Sequence, residues 1–195
     1  MSPRTPEQFE QIREDRKEKL IKAAFRVFAE ETYHKASISK IAKEAGVSKG
    51  LLYNYFDSKE DLLKAIMQDL MDEVSKYFDF DDEAPLTEER IAEWVTKSMT
   101  IVKKDLTKWR FYVSLSFQPD VTPILMEMAD TTITRFMGKF VRYFVEKGVK
   151  DPIAYMRYTS AIMDGIQFHI MLDPDNYPIE KSAELLIQQI TNPIK

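Results

Sequence analysis

Ser37-Ile38-Ser39-Lys40-Ile41-Ala42-Lys43-Glu44-Ala45-Gly46-Val47-Ser48-Lys49-Gly50-Leu51-Leu52-Tyr53-Asn54-Tyr55-Phe56 is the stretch from which the rest of the chain is read. Its spacing predicts a short helix with Ile41 and Ala42 facing inward, closed by Gly46. There the chain must leave through a left-handed conformation, in which a Cβ costs about 1 kcal/mol or more. Val47 then plugs the turn, and Ser48 caps a second helix whose inward residues are Leu51, Leu52 and Phe56. This is the pattern of a helix-turn-helix. Lys49, Gly50, Asn54 and Tyr55 fall on the face of the second helix turned away from those apolar residues.

The chemistry of that face suits double-stranded DNA. A lysine donates to guanine O6 or N7, an asparagine pairs with adenine N6 and N7, and a tyrosine bonds phosphate or packs on a thymine methyl. Gly50 removes a side chain where a helix would approach a groove. The amides at the starts of the two helices, Ser37 to Ser39 and Ser48 to Gly50, turn partial positive charge outward and can hold phosphates. Between Ser37 and Phe56 three lysines (Lys40, Lys43, Lys49) stand against Glu44 alone, a local excess of two positive charges, with Lys35 and Lys59 on the flanks.

Outward from the motif the punctuation is that of helices. Thr5-Pro6-Glu7-Gln8 reads as a capping box with proline at the first helical position, opening a helix to about Glu31. Leu20, Ala24, Val27 and Phe28 form its apolar stripe. The motif is read as two helices, Ile38 to Ala45 and Lys49 to about Tyr55. Ser58-Lys59-Glu60-Asp61 starts a long amphipathic helix to about Phe78. The acidic run Asp79, Asp81, Asp82 and Glu83 is read as a solvated loop and a seam. Beyond it, helices are expected from Glu88 to Leu106, Pro123 to Lys147 with Gly148 as the stop, Pro152 to Leu172 behind an Asp151 cap, and Ile179 to Ile190. Phe111, Val113, Leu115 and Phe117 alternate with Tyr112, Ser114 and Ser116 as in a strand, but no other run offers such a strand a partner, so 110–117 is read as helix. The expected fold is all-α: an N-terminal helix-turn-helix DNA-binding domain over 16–75 behind a helical or frayed lead at 1–15, then a helical domain over 76–195.

Composition narrows the function classes. The chain has 195 residues, no Cys, two His and five Gly. Zero cysteine removes disulfide scaffolds, thiol nucleophiles and thiolate metal sites. Glu31 and His34 have the Glu-x-x-His spacing of di-iron bundles, but two histidines cannot supply the second pair, so no metal, cofactor or catalytic residue is expected. No apolar run is long enough to span a membrane, and no apolar leader opens the chain, which points to the cytoplasm. The formal charge of -4 speaks against a nucleic-acid binder only if the charges are spread evenly.

The motif, with Ser58-Lys59-Glu60-Asp61-Leu62-Leu63 after it and Ala23-Ala24-Phe25 and Phe28 before it, resembles the N-terminal signature of the TetR family of bacterial transcriptional regulators. The likeness covers about residues 16 to 70. It departs from the family at Glu31-Thr32-Tyr33, where members usually carry glycine: either Thr32 occupies a strained C-terminal position or the helix ends differently. The resemblance implies a homodimer whose two heads enter successive major grooves of a palindromic operator, about 34 Å apart. It implies phosphate contacts at Ser37, Ser48, Tyr53 and Lys59 and base-facing positions at Lys49, Gly50, Asn54 and Tyr55. It further implies a dimer interface on the last two long helices, assigned to Ser160, Ala161, Gly165, Phe168 and Leu172 on the first and Leu186 and Ile190 on the second.

The family's helical domain also implies a pocket for a small-molecule effector. Trp94, Met99, Trp109, Phe111 and Tyr112, followed by Phe117, Met126, Phe136, Met163 and Gln167, are the candidates for its wall, although the ordinary reading of each aromatic and methionine is plain core. Such side chains suit an apolar or aromatic ligand. The leading reading is a repressor released from its operator when that ligand binds. The alternative is an all-helical small-molecule binding protein or enzyme in which the helix-turn-helix is only structural.

Overall fold

Proline at the first helical position and a reciprocal cap begin the first helix. In the computed structural model, which describes residues 5–75, 84–128 and 132–194, α1 (Pro6–Glu31) starts where Thr5 Oγ1 accepts from the Gln8 amide and Gln8 Oε1 accepts from the Thr5 amide. Behind it come α2 (Ile38–Ala45), α3 (Lys49–Tyr53), α4 (Lys59–Ser75), α5 (Glu88–Lys104), α6 (Leu106–Ser116), α7 (Thr122–Met128), α8 (Thr132–Glu146), α9 (Pro152–Leu172) and α10 (Ile179–Thr191). Among the described residues there is no strand. The acidic run at 79–83 and the expected end of α4 at Phe78 lie outside those residues. So do 129–131, inside the single helix expected over 123–147.

The chain falls into two compact units, Met1–Val74 with Leu115–Met128, and Ser75–Ser114 with Ala129–Lys195. In the first, α1 buries Leu20, Ala23, Ala24, Val27 and Phe28 and packs on α2, which buries Ile41, Ala42 and Ala45. Leu52 of α3 and Leu62, Leu63 and Ile66 of α4 are fully enclosed in the same unit. Each such side chain contributes about 1.5–3 kcal/mol of hydrophobic free energy, so the small head has a real core.

In the second unit α5 packs on α9 and α10, and α8 on α9. Ile91, Val95, Met99 and Val102 make one buried stripe along α5. Ala183, Leu186 and Ile190 make another along α10. Asp151 caps α9 through the Ala154 amide at 3.0 Å, and Tyr155 ties α9 to α10 by donating to the Gln189 carbonyl at 2.8 Å. Gly148, at φ 78°, turns the chain out of α8.

The alternating run at 111–117 is helical. Phe111, Tyr112 and Leu115 are buried, at helical spacing, while Phe117 is 82% exposed. Alternation in hydrophobicity along this run therefore does not map onto alternation in burial. Two helix ends also differ from expectation. α3 stops at Tyr53 with Asn54 as its C-cap, and α5 stops at Lys104, where Asp105 adopts φ -142°, ψ 77° and restarts the chain as α6 by accepting from the Lys108 amide.

α1 ends in the way the sequence departure foreshadows. Thr32 sits at φ 73°, ψ 154°, the one positive-φ residue other than glycine among those described. This region is nearly confined to glycine and costs about 1–3 kcal/mol for a side chain with a Cβ. Thr32→Gly is therefore expected to stabilise the protein by about 1 kcal/mol, part of the strain being offset by glycine's greater chain entropy when unfolded. Thermal unfolding should register a rise of roughly 2–4 °C; an unchanged or lower midpoint would show that Thr32 is not strained.

Candidate nucleic-acid interface

The helix-turn-helix is closed by local bonds that its sequence specifies. Ser37 Oγ accepts from the Lys40 amide at 3.2 Å and Ser48 Oγ from the Leu51 amide at 3.0 Å. Gly46 adopts φ 67°, ψ 36°, its amide bonds the Lys43 carbonyl, and the Val47 amide bonds the Ala42 carbonyl at 2.9 Å. Ile41, Leu52 and Phe56 are buried beneath. On the opposite side Ser37, Ser48, Lys49, Gly50 and Asn54 are exposed, Tyr53 is 44% exposed, and Tyr55 is half-buried. The Lys49 ammonium lies 5.8 Å from the Tyr53 ring centroid.

Gly50 is informative because the fold does not require it. A Cβ there would meet only Ser48 Oγ at 4.0 Å, an ordinary contact, and its φ is not in the left-handed region. The absent side chain leaves the outer surface flat without relieving anything inside the protein.

Lys59 departs from its expected place. Its ammonium donates to the carbonyls of Tyr33 at 2.8 Å, Ala36 at 3.1 Å and His34 at 3.2 Å, and stands 4.5 Å from the Tyr33 ring centroid. An ammonium has three donors, and all three are engaged. Lys59 thus holds the α1–α2 connection to the start of α4 and has no N–H left for a phosphate oxygen.

Two residues that sequence reasoning missed act on the same connection. Gln118 Oε1 accepts from the Tyr33 amide at 2.9 Å, and His34 Nδ1 lies 2.9 Å from the Asp120 carboxylate. Both lie more than 80 positions downstream, in the segment Leu115–Met128 that belongs to the first unit. No local pattern marks them.

The charge of the head is also distributed differently from a simple count. Lys40 bonds Glu31 at 2.5 Å and lies 3.8 Å from Glu30; its hydrogen bond to Glu31 holds its pKa above the ordinary lysine range. Glu44 pairs with Arg26 at 3.0 Å. Among the described residues Lys35, Lys43 and Lys49 are exposed and form no ion pair, so they carry the outward positive field.

The family model of the bacterial regulatory proteins, tetR family, matches residues 20–66. Residues 20–66 thus form a domain of the TetR family's N-terminal type. It is 27% identical over 143 residues to the HTH-type transcriptional regulator HbdR of Aromatoleum sp. (strain CIB), covering 72% of this chain and 62% of that protein. It is 36% identical over 87 residues to the fatty acid metabolism regulator protein of Bacillus subtilis (strain 168), covering 44% and 45% respectively. The matches thus span less than two thirds of the length of these two relatives. The crystal structure of the transcriptional regulator FadR from Bacillus subtilis in complex with stearoyl-CoA superposes with a TM-score of 0.67 at 20% identity, over 91% of this chain and 98% of that one.

The other residues assigned from the TetR resemblance separate by burial. Met99, Phe111, Tyr112 and Met163 are enclosed in the second unit, with Trp94, Trp109, Phe136 and Gln167 half-buried. Trp94 packs against Phe136 at 5.5 Å and Phe140 at 5.1 Å between centroids. Trp109 Nε1 donates to the Ile101 carbonyl at 3.1 Å, and Gln167 Nε2 to the Ser98 carbonyl at 3.3 Å. Phe117 and Met126 do not join them. Both are exposed, Met126 at 73%, and both belong to the first unit. The two cavities described, about 290 Å³ between α1 and α2 and about 120 Å³ in the second unit, are lined by none of these residues. On α9, Ala161, Gly165, Phe168 and Leu172 are exposed and Ser160 is half-buried. Leu186 and Ile190 are not available to a partner, each being 2% exposed on a helix packed against α5 and α9; the exposed apolar residue of that helix is Leu185.

The bonds of Lys59 give a test that separates anchoring from phosphate binding. Lys59→Ala is expected to lower stability by about 2 kcal/mol, the worth of charge-assisted hydrogen bonds left unmade, and to speed amide exchange at Ala36 and Lys40. The salt dependence of DNA binding should keep its slope; a phosphate contact would instead lower that slope by about one unit.

Proposed function

We propose that this chain is a homodimeric, sequence-specific DNA-binding transcriptional regulator, a repressor that a small apolar or aromatic effector releases from a palindromic operator. The observation that carries the DNA reading is the exposed group Lys49, Gly50 and Asn54, set opposite the buried Leu52 and Phe56, with glycine at a position where the fold accepts a side chain. Lys49 and Asn54 are the base readers, Ser37, Ser48 and Tyr53 the phosphate contacts, and Tyr55 packs at the edge of the reading face. Lys59, Gln118 and Asp120 act one step back by fixing the backbone that leads into Ser37.

The effector reading draws on the aromatic and methionine-rich interior of the second unit and on the stearoyl-CoA bound by the Bacillus subtilis neighbour. An effector that lowers operator affinity must bind the DNA-bound form more weakly, with a coupling of typically about 1–3 kcal/mol. We assign that coupling to the connection at Ser114–Leu115, after which the chain, now in the first unit, reaches Gln118 and Asp120.

Lys49→Ala and Asn54→Ala are each expected to lose about 1–3 kcal/mol on the cognate palindrome and to relax the base preference at one position. Fluorescence anisotropy on the operator and its single-base variants measures both effects, and unchanged binding in the two variants would remove the DNA-reading role. The dimer reading has its own check. Tyr158, Ala161, Gly165, Phe168 and Leu172 form an exposed stripe along α9 at helical spacing. Phe168→Glu should shift the protein from dimer to monomer in sedimentation velocity, whereas Leu186→Glu should unfold the second unit instead.

A further inference from the structure

In the second unit, α8 carries two cations, Lys139 and Arg142, that form no ion pair among the described residues. Lys139 is 6% exposed, a degree of burial at which lysine is almost always paired. Among the described residues it has neither an ion pair nor a hydrogen bond, and the same holds for Arg142. Tyr143, also 6% exposed, has an enclosed hydroxyl with no hydrogen-bond partner. The three residues share one side of α8, Arg142 and Tyr143 standing three and four positions after Lys139. Together with Pro85, Leu86 and Glu146 they line a cavity of about 120 Å³.

Two of these groups, Lys139 and Tyr143, are unfavourable by themselves. A buried hydroxyl without a partner loses its hydration uncompensated, and a lysine stem held out of water confines its charge. Lys147, the cation beside the phenol, is shared with an acid: its ammonium is 2.7 Å from a Glu88 carboxylate oxygen and 5.3 Å from the Tyr143 ring centroid. Burial pushes the Tyr143 pKa above the ordinary tyrosine range, with Lys147 opposing, so the hydroxyl is a neutral donor at pH 7. Two cations and a hydroxyl that bond no acceptor among the described residues thus stand at one cavity, where an anion would satisfy them.

We propose that this cavity binds a compact oxyanion, a phosphate or carboxylate group, with Lys139 and Arg142 supplying charge and the Tyr143 hydroxyl supplying a neutral hydrogen bond. The volume is below the roughly 300 Å³ at which drug-sized ligands are held, so it takes one such group, free or at the end of a larger molecule. Charge-assisted bonds to an oxyanion are the strong ones, and the guanidinium matches two of its oxygens at once. Glu146 at the same lining leaves one net positive charge and disfavours a second anion. The site lies in the unit that we propose to bind the effector, but it does not depend on the operator reading.

The test uses the full chain in phosphate-free buffer at constant ionic strength, titrated with inorganic phosphate and separately with acetate, and followed by calorimetry and thermal unfolding. Saturable binding of phosphate, with a raised unfolding midpoint, is expected. Lys139→Met and Arg142→Gln should each weaken it roughly tenfold or more, since a hydrogen bond to a charged group is worth at least that factor. Tyr143→Phe should weaken it severalfold while raising the midpoint of the anion-free protein, because it removes the unpaired hydroxyl. Binding of phosphate alone assigns the site to phosphate-bearing ligands, and binding of acetate as well extends it to carboxylates. Absence of saturable binding by either anion, or affinity unchanged in both charge variants, would overturn the proposal. Arg142 is exposed, so Arg142→Gln keeps the test decisive should Lys139→Met fail to fold. No DNA is present, so this outcome and that of the operator experiment are independent.

Discussion

The Lys59 ammonium satisfies three carbonyls that no helix can reach. Tyr33, His34 and Ala36 lie between α1 and α2, where the backbone leaves one set of intrahelical bonds and has not yet begun the next. Oxygens turned inward here need donors, and an unmade hydrogen bond at a shielded carbonyl costs more than a made one contributes. A single cation from the first turn of α4 meets all three, and the Tyr33 ring lies against its charge. The start of α4 and the approach to α2 are thereby fixed to one point, and the position of Ser37 follows from it.

The geometry of Thr32 belongs to the same constraint. Its amide still bonds back to the Phe28 carbonyl of α1, while its own carbonyl accepts from the Ala36 amide at 3.2 Å. The positive φ of Thr32 reverses the chain between these two bonds, and Phe28 meets Tyr33 edge to face at 5.3 Å between centroids. Strain at one residue coexists with full satisfaction of its neighbours. Such a residue persists only where its surroundings over-determine it, and here they comprise Lys59, Gln118 and the aromatic pair.

What was legible in the sequence is what short-range chemistry decides. The Thr5–Gln8 box, the serine caps at Ser37 and Ser48, the left-handed turn at Gly46, the stop at Gly148 and the Asp151 cap each rest on bonds within a few residues, and each stands where its residue type demands. The anomaly at Thr32 shows in the sequence only as a departure from the TetR pattern, which leaves a strained residue and a different helix end both open. Partners distant in sequence were not. Lys59 looked like a surface cation because its acceptors are backbone carbonyls, which carry no side-chain signature. Gln118 and Asp120 sit in a stretch whose composition resembles any exposed loop. The TetR resemblance implies an interface at Leu186 and Ile190, and the sequence could not correct it, since an amphipathic helix shows which face is apolar without showing whether its own chain or a second copy covers it. The run at 111–117 reads as helix for want of a partner strand rather than from its own pattern, because hydrophobic alternation over seven residues still includes positions one and four apart, as in the buried Phe111, Tyr112 and Leu115.

The net charge of -4 takes on a different meaning once pairing is known. Lys40, counted from the sequence as part of a basic surface, serves to hold α2 against the acidic end of α1. The acid counted against that surface, Glu44, is occupied by Arg26. The two corrections offset in number but not in place: of the lysines at the helix-turn-helix, Lys35, Lys43 and Lys49 form no ion pair among the described residues, and all three are exposed. Few cations on an otherwise acidic protein make for a shallow dependence of DNA affinity on salt and weak binding to arbitrary duplex. On the proposed DNA-reading role, discrimination must then come from a small number of well-placed contacts, which places unusual weight on how firmly their backbone is held. The anchoring of the α1–α2 connection by Lys59, Gln118 and Asp120 meets that requirement, since a loose approach to Ser37 would erase the advantage of reading a site with so few residues.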